Sequence, residues 1–279
     1  MKQEVDFVKC SPTQNMTVLV RTKHPVEEHL PIAARLMSYD SVHAEQVGFV
    51  GEPVMYPEAA AHLRMAGGEF CGNACMALAA LLAAESGMSR GDDAVRIRLE
   101  TSGTDELIDC QVRLVEGGYY CRIAMPVPEQ IRRRTLRDNK QDWDAIELRY
   151  QDAIHLVMEV KQFSRTIREE AERIAIKIGA DEPVSMIGIL LYDAESGEMA
   201  PLIYVPLMDS LVWERGCGSG TASMGAYLAW TNRRSITADI RQPGGVIHVA
   251  AEYGQRGLGK VEIEGAVGIV AEGRAFIHA

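Results

Sequence analysis

Short apolar runs, many alternating with polar residues or rich in β-branched ones, recur along the chain and predict a strand-dominated fold. In the first half, strands are expected at Phe7–Cys10, Met16–Arg21, Val47–Val50, Val95–Leu99, Leu107–Val112 and Tyr119–Met125. In the second half they are expected at Glu147–Arg149, His155–Val160, Met186–Tyr192 and Leu202–Val205. Pro243-Gly244-Gly245 marks a turn, followed by strands at Val246–Ala250, Lys260–Ile263 and Gly273–Ile277. Four helices interrupt this pattern. The first lies within Val26–Ser38, with Pro25 and Glu27-Glu28 near its start or Pro31 as its first helical position. The second runs from Asn73 to about Ser86, the third over Thr166–Ile178, and the fourth from Gly220 to about Trp230. The third carries charges at helical spacing and reads as a surface helix. The second and fourth are apolar on most faces and rich in small residues, the pattern of a buried helix with strands wrapped closely around it.

The two buried helices share their opening. CGNACMALAALLA begins at Cys71 and CGSGTASMGAYLA at Cys217, an offset of 146 residues. Each half thus has strands, one polar helix and one Ala-rich central helix, the organisation of a duplicated α+β unit. The expected boundary lies in Pro126-Val127-Pro128, giving a first lobe of 1–126 and a second of 127–264.

Composition narrows the class. The 279 residues are 47% hydrophobic and 24% charged, as in ordinary globular proteins. A net charge of −10 argues against a nucleic-acid or anionic-membrane surface. Arg132-Arg133-Arg134, with Arg137, is the one basic run and reads as a solvated loop. The longest apolar stretch, Met76–Ala84, is about half of what a membrane span needs. MKQEVDFVKC has no apolar signal core, so a cytoplasmic protein is expected, with its six cysteines kept as thiols.

Cys71 and Cys217 sit among glycines at predicted helix N-termini. Free backbone N–H groups and the helix dipole there favour thiolate character. Two such thiols facing one substrate could work as an acid/base pair: one thiolate removes a proton from a carbon while the opposing thiol protonates its other face. Gly72, Gly216, Gly218 and Gly220 permit close backbone approach, and the helix N-termini can bind a carboxylate. A single nucleophilic cysteine with His155 as base is a second reading. A zinc site from Cys71, Cys75, Cys217 and His155 lacks a CxxC or HxxxH pair, so no metal is expected. A radical-type CxxxCxxC cluster fails because Leu78 stands at the required third cysteine. Cys10, Cys75, Cys110 and Cys121 read as small buried hydrophobes.

At these residues the chain resembles the diaminopimelate epimerase superfamily of cofactor-independent racemases and epimerases, over nearly its whole length. The family's two cysteine elements match Cys71-Gly72-Asn73 and Cys217-Gly218-Ser219-Gly220. Its early asparagine matches Asn15, its substrate-binding glutamine Gln46 beside Glu45, its histidine His155, and its Glu-Arg pair Glu214-Arg215. The resemblance implies an α+β fold of two pseudo-symmetric lobes, each a β-barrel-like sheet around a central helix. It also implies that the last strand, 265–279, returns to the first lobe. Only Gly216 separates Glu214-Arg215 from Cys217, as in the proline racemase branch. Ala153-Ile154-His155 replaces an Asn-Pro-His element, and a later asparagine has no counterpart near Ser185–Gly188. These departures point away from a substrate with two amino-acid head groups. The stretches AEQVGF, GGEFCGNA, WERGCGSGTAS, PLIYVP and QPGG are similar to the histidine racemases of staphylopine-type metallophore synthesis.

That resemblance implies conversion of L-histidine to D-histidine with no pyridoxal phosphate or other cofactor. Cys71 and Cys217 would be catalytic. Asn15, Gly72, Asn73, Gly218, Ser219 and Thr221 would hold the head group, and His155 would tune the first thiol. Glu45, Gln46 and Glu214, beside Arg215, would meet the imidazole, with Phe49 as a wall. The expected partner is a small amino acid, with a homodimer as a possible assembly. The alternatives are a diaminopimelate epimerase or other amino-acid racemase, and a non-catalytic amino-acid-binding protein. An empty pocket with two such thiols could also oxidise to a disulfide.

Overall fold

The computed structural model describes residues 2–137 and 142–278. Its elements, in chain order, begin with β1 (Lys2–Pro12), β2 (Thr17–Val20), α1 (Val26–Met37), β3 (Gln46–Gly51) and β4 (Ala61–Met65). They continue with α2 (Gly72–Glu85), β5 (Val95–Thr101), β6 (Ile108–Val115), β7 (Gly118–Met125), β8 (Gln130–Arg137) and β9 (Asp142–Arg149). Next come β10 (Ala153–Glu159), α3 (Arg165–Asp181), β11 (Met186–Asp193), β12 (Glu198–Val205) and β13 (Ser210–Trp213). The chain ends with α4 (Gly218–Asn232), β14 (Ile236–Gln242), β15 (Gly245–Gly254) and β16 (Gly257–His278). Two compact units divide it: residues 1–124 with 264–279, and residues 125–263.

In the first unit the strand order is β1-β2-β3-β4-β5-β6-β7-β16, and β16 also pairs with β1, which closes the sheet into a barrel. Closure leaves no free edge. The central helix α2 packs against β1, β2, β4, β5 and β6. Nearly all of its residues are buried, from Gly72 to Leu81 without a break. A helix without a polar face has to lie inside a sheet rather than on it. Pro31 lies inside α1 rather than at its start, six residues after the N-cap Pro25, so it removes one hydrogen bond from the helix interior.

The second unit repeats the plan. β2 and β3 are parallel and joined through α1; β10 and β11 are parallel and joined through α3. β4 and β5 are parallel and joined through α2; β12 and β14 are parallel and joined through α4. α4 is buried over most of its length and packs on β9, β10, β14 and β15. α3 buries Ala171, Ile174, Ala175 and Ile178 on the apolar cluster that includes Ile187, Ile189 and Leu202.

Two sequence expectations change here. Arg132-Arg133-Arg134 is not a loop: it lies in β8, antiparallel to β9. Strand alternation sends Arg132 and Arg134 to the same face, where both bond Glu147, which is fully buried. Arg134 and Arg149 also bond Glu182, so the charges form a network instead of a solvated run. Arg137 ends β8, with its side chain outside the described residues. The strands expected at Lys260–Ile263 and Gly273–Ile277 are parts of the single strand β16. Ala279, in the last expected strand, lies outside the described residues. No helix among the described residues is long and apolar enough to cross a membrane.

Candidate active site

Each central helix opens on its cysteine. Cys71 is the N-cap of α2, with extended backbone angles, and its Sγ accepts the N–H of Ala74 at 3.4 Å. Cys217 is the N-cap of α4, and its Sγ accepts the N–H of Gly220 at 3.2 Å. In both, sulfur occupies the place of the Ser or Asp oxygen that usually satisfies a helix's first free donors.

In the first unit, the Cys71 thiol donates to Gln46 Oε1 at 2.9 Å. Gln46 Nε2 donates to Asn15 Oδ1 at 2.5 Å and to Thr17 Oγ1 at 2.9 Å. Asn15 is completely buried, and its Nδ2 has no acceptor among the described residues. The turn that delivers it places Thr13 and Gln14 at φ 47° and 61°, in the left-handed region. Gln46 comes from the adjacent strand, because Thr17 and Gln46 are partners in the β2–β3 register. Glu45 joins the same end of the strand pair, its N–H bonding Met16 O at 2.8 Å. Asn73 is buried in the first turn of α2, beside Gly72. Behind Cys71, Ser102 Oγ donates to Glu69 O at 2.9 Å. A Cβ on Gly103 would lie 2.1 Å from Phe70 N, so only glycine lets this turn approach the segment leading to Cys71.

Phe49 does not form a wall beside Gln46. The two are an odd number of positions apart on β3 and point to opposite faces. Phe49 is buried and stacks on His29 of α1, with ring centroids 3.7 Å apart.

In the second unit, the N–H of Cys217 donates to Gln242 Oε1 at 2.6 Å. Gln242 Nε2 donates to Thr221 Oγ1 at 2.8 Å, and that hydroxyl donates to Cys217 O at 2.6 Å. Ser219 Oγ lies 3.5 Å from Cys217 Sγ. Arg215 is tied to the β14–β15 turn: its guanidinium bonds Pro243 O at 3.2 Å, and Gly244 N–H bonds its carbonyl at 2.6 Å. Cys217 is almost completely buried, and burial pushes its thiol well above the ordinary value. The Glu214 carboxylate, which accepts a hydrogen bond from the thiol, pushes in the same direction; Ser219 and Gly220 N–H oppose it. The helix N-terminus therefore does not make Cys217 a resting thiolate, because desolvation and a neighbouring anion outweigh it.

His155 lies on β10, inside the second unit. Its Nδ1 is 2.6 Å from Ser223 Oγ on α4, and Ser223 Oγ is 2.6 Å from Tyr150 Oη. Burial lowers His155 to about 4, so the ring is neutral near pH 7. Sequence reasoning missed Thr17, Gln242, Ser223 and Tyr150. Gln242 stood in QPGG, which reads as a turn. The other three carry no local signal, since their roles depend on strand register.

A family model described as histidine racemase CntK N-terminal domain matches residues 4–276. The chain is 33% identical over 279 residues to a histidine racemase of Staphylococcus aureus (strain Mu50 / ATCC 700699), covering 99% of each. It is 29% identical over 278 residues to a histidine racemase of Fusobacterium nucleatum subsp. nucleatum, covering 99% of this chain and 98% of the relative. Among solved structures, a hydroxyproline epimerase from Agrobacterium vitis with bound trans-4-hydroxy-L-proline superposes with a TM-score of 0.76 at 12% identity, covering 98% of this chain and 93% of that one. A probable proline racemase from Agrobacterium radiobacter K84 gives 0.71 at 11% identity, covering 96% and 92%. At that identity the structures speak for the fold alone.

Proposed function

The chain belongs to the histidine racemase family, an isomerase family, and from that premise we propose that it interconverts L-histidine and D-histidine by a cofactor-independent two-base reaction using Cys71 and Cys217. The observation that carries this reading is the repeated cap: two central helices, each with a thiol whose sulfur accepts a backbone N–H at the helix N-terminus. Such a donor stabilises sulfur when it becomes negative. The thiolate of one cysteine takes the α-proton, and the S–H proton of the other is delivered to the opposite face of the carbon. Net proton count is unchanged, and the two sulfurs exchange states. Burial and Glu214 favour the protonated form of Cys217.

Asn15, Gln46, Asn73 and Ser219, with the N–H groups of Gly72 and Gly218, are proposed to hold the amino and carboxylate groups. Glu45 and Glu214 are proposed to meet the imidazole. Thr221 and Arg215 act through the backbone that carries Cys217, since their polar atoms bond that segment and its neighbouring turn. The resemblance to metallophore-associated racemases supports the same destination for the D-histidine product.

Cys71→Ser and Cys217→Ser variants test the reading. Each should lower racemisation by on the order of 10²–10⁴-fold, the range of a positioned acid or base. In deuterated water, the wild type should place deuterium at the α-carbon of its product. Near wild-type turnover by either variant, or retention of the α-hydrogen, would overturn the two-base reaction. A chiral assay against histidine, diaminopimelate and proline fixes the substrate.

A further inference from the structure

The two repeats differ at two neighbouring buried positions in a way that packing does not require. Partners in the β2–β3 register are Leu19 and Gly48; the corresponding partners on β10–β11 are His155 and Gly188. The helix residue six places after the cysteine is Ala77 on α2 and Ser223 on α4. Leu19 and Ala77 are both completely buried, so the first unit builds this part of its core from apolar side chains alone. The second unit replaces them with His155 and Ser223, at 1% and 0% exposure. Buried polar groups are costly unless bonded, and a core that can be apolar gains nothing from them. Their presence calls for a use.

The hydrogen count decides what that use is. Ser223 has one hydroxyl hydrogen and two neighbours at 2.6 Å, His155 Nδ1 and Tyr150 Oη. If His155 Nδ1 carried the proton, it would donate to Ser223, which would donate to Tyr150. The phenol hydrogen would then be left over, and Nε2 would be an acceptor without a donor. In the reverse order Tyr150 donates to Ser223 and Ser223 donates to Nδ1. Every hydrogen is then used except one, on Nε2. Nε2 is buried and has no partner among the described residues. The ring edge bearing it rests on Gly188, where a Cβ would stand 2.8 Å from Nε2 and 2.4 Å from Cδ2.

We infer that Tyr150 and Ser223 are positioning residues that hold His155 as its neutral Nε2–H tautomer, a fixed hydrogen-bond donor for an anionic oxygen such as an amino-acid carboxylate, and not a proton-accepting base. This deepens the racemase reading and rests on it only for the role in turnover. The tautomer itself is a property of the resting protein.

Two-bond ¹H–¹⁵N correlation spectra of the ¹⁵N-histidine-labelled protein test the tautomer without any assay. The His155 signals are those lost in His155→Gln. The expected result is a protonated Nε2 and a bare Nδ1, unchanged between about pH 5 and 8, the range in which an ordinary histidine titrates. A protonated Nδ1, or titration within that range, would overturn the inference. The role is tested by Ser223→Ala and Ser223→Thr. Ser223→Ala should mix the tautomers and lower kcat about tenfold for both enantiomers, and Ser223→Thr, which keeps the hydroxyl, should restore both readouts. Unchanged kcat and KM in a folded Ser223→Ala variant would overturn the role. If Ser223→Ala fails to fold, Tyr150→Phe gives the same test from the other end of the chain of bonds. If the expected tautomer is found while Cys71→Ser or Cys217→Ser stays active, the two-base reading fails and the tautomer assignment stands.

Discussion

The half around Cys71 and the half around Cys217 use one scaffold and load it differently. Both set a cysteine at the start of a buried helix between two parallel strands, β4 and β5 in one, β12 and β14 in the other. In the first half, a side-chain amide bonds the sulfur directly: Gln46, steadied by Asn15 and Thr17. In the second, Gln242 bonds the cysteine's backbone, and polar groups reach further down the helix to Ser223 and His155. At equivalent places the first half has Leu19 and Ala77, and the second has Ala153 and Met186 where Thr17 and Gln46 stand. The two units share one frame, and different residues at paired positions make one half serve its thiol and the other its helix core. The difference extends to burial: Cys217 is 1% exposed, while Cys71 is only half-buried.

The largest expected contrast is in alkali. The first half also buries Cys10, Cys75, Cys110 and Cys121 around α2, and burial pushes Cys10, Cys75 and Cys121 up to about 12 and Cys110 well above its ordinary value. Their ordinary value in an unfolded chain is about 8.5. Between that value and the raised ones the folded state binds more protons, so stability falls as pH rises. Each thiol contributes up to about 1.4 kcal/mol per pH unit. Between about pH 8.5 and 10, before tyrosines titrate in the unfolded chain, the loss should fall mainly on residues 1–124 and 264–279. Hydrogen exchange that opens β1, β6 and α2 ahead of α3 and β11 is the expected result, and a Cys75→Ala/Cys110→Ala variant should flatten the slope. Equal opening of both units, with no effect of the variant, would remove this contrast.

A second contrast concerns charge in the other half. Glu147 is fully buried and holds Arg132, Arg134 and Arg149. Glu147→Ala leaves these cations without their shared partner and should cost about 3 kcal/mol, the lower end for breaking a buried pair, because the arginines can rehydrate. The loss should appear in the urea transition of the second unit, with the exchange rates of α2 unchanged.

The parts of this molecule that could be read from its sequence are those whose cause is local. Both central helices were legible because apolar residues on every face allow only an interior position, and their caps because a cysteine followed by glycine ends a strand and starts a helix. β8 was not, since a run of three arginines reads as solvated until Glu147, on the next strand, is seen to meet two of them on one face. β14 was passed over because Gln242 closes it just before Pro243-Gly244, and the turn signal masks the strand. Within the site, the two cysteines were found from the repeated helix opening, and Asn15 and Gln46 through resemblance. Gln242 and Ser223 were not, because each works through a partner 25 or 68 residues away. Nothing in local sequence carries strand register over that distance.

The finest contrast separates the two glutamines. Gln46 touches a sulfur and two side chains, while Gln242 touches the backbone N–H of Cys217 and the hydroxyl of Thr221 in a buried setting. Gln242→Ala orphans a buried N–H and a buried hydroxyl acceptor and should cost about 1–3 kcal/mol of stability. Its kinetic effect should follow from displacement of the Cys217 segment, with kcat and KM both altered. Gln46→Ala leaves Asn15 and Thr17 able to bond each other, as they already do at 3.4 Å, and should cost under about 1 kcal/mol. Its loss should fall on kcat and on the pH profile of the Cys71 step, because it removes the amide oxygen that accepts that thiol's proton. Paired urea titrations and pH–rate profiles of the two variants read both effects. A Gln46→Ala variant that loses more stability than Gln242→Ala, with an unshifted profile, would mean that both glutamines serve the fold and that the two halves treat their cysteines alike.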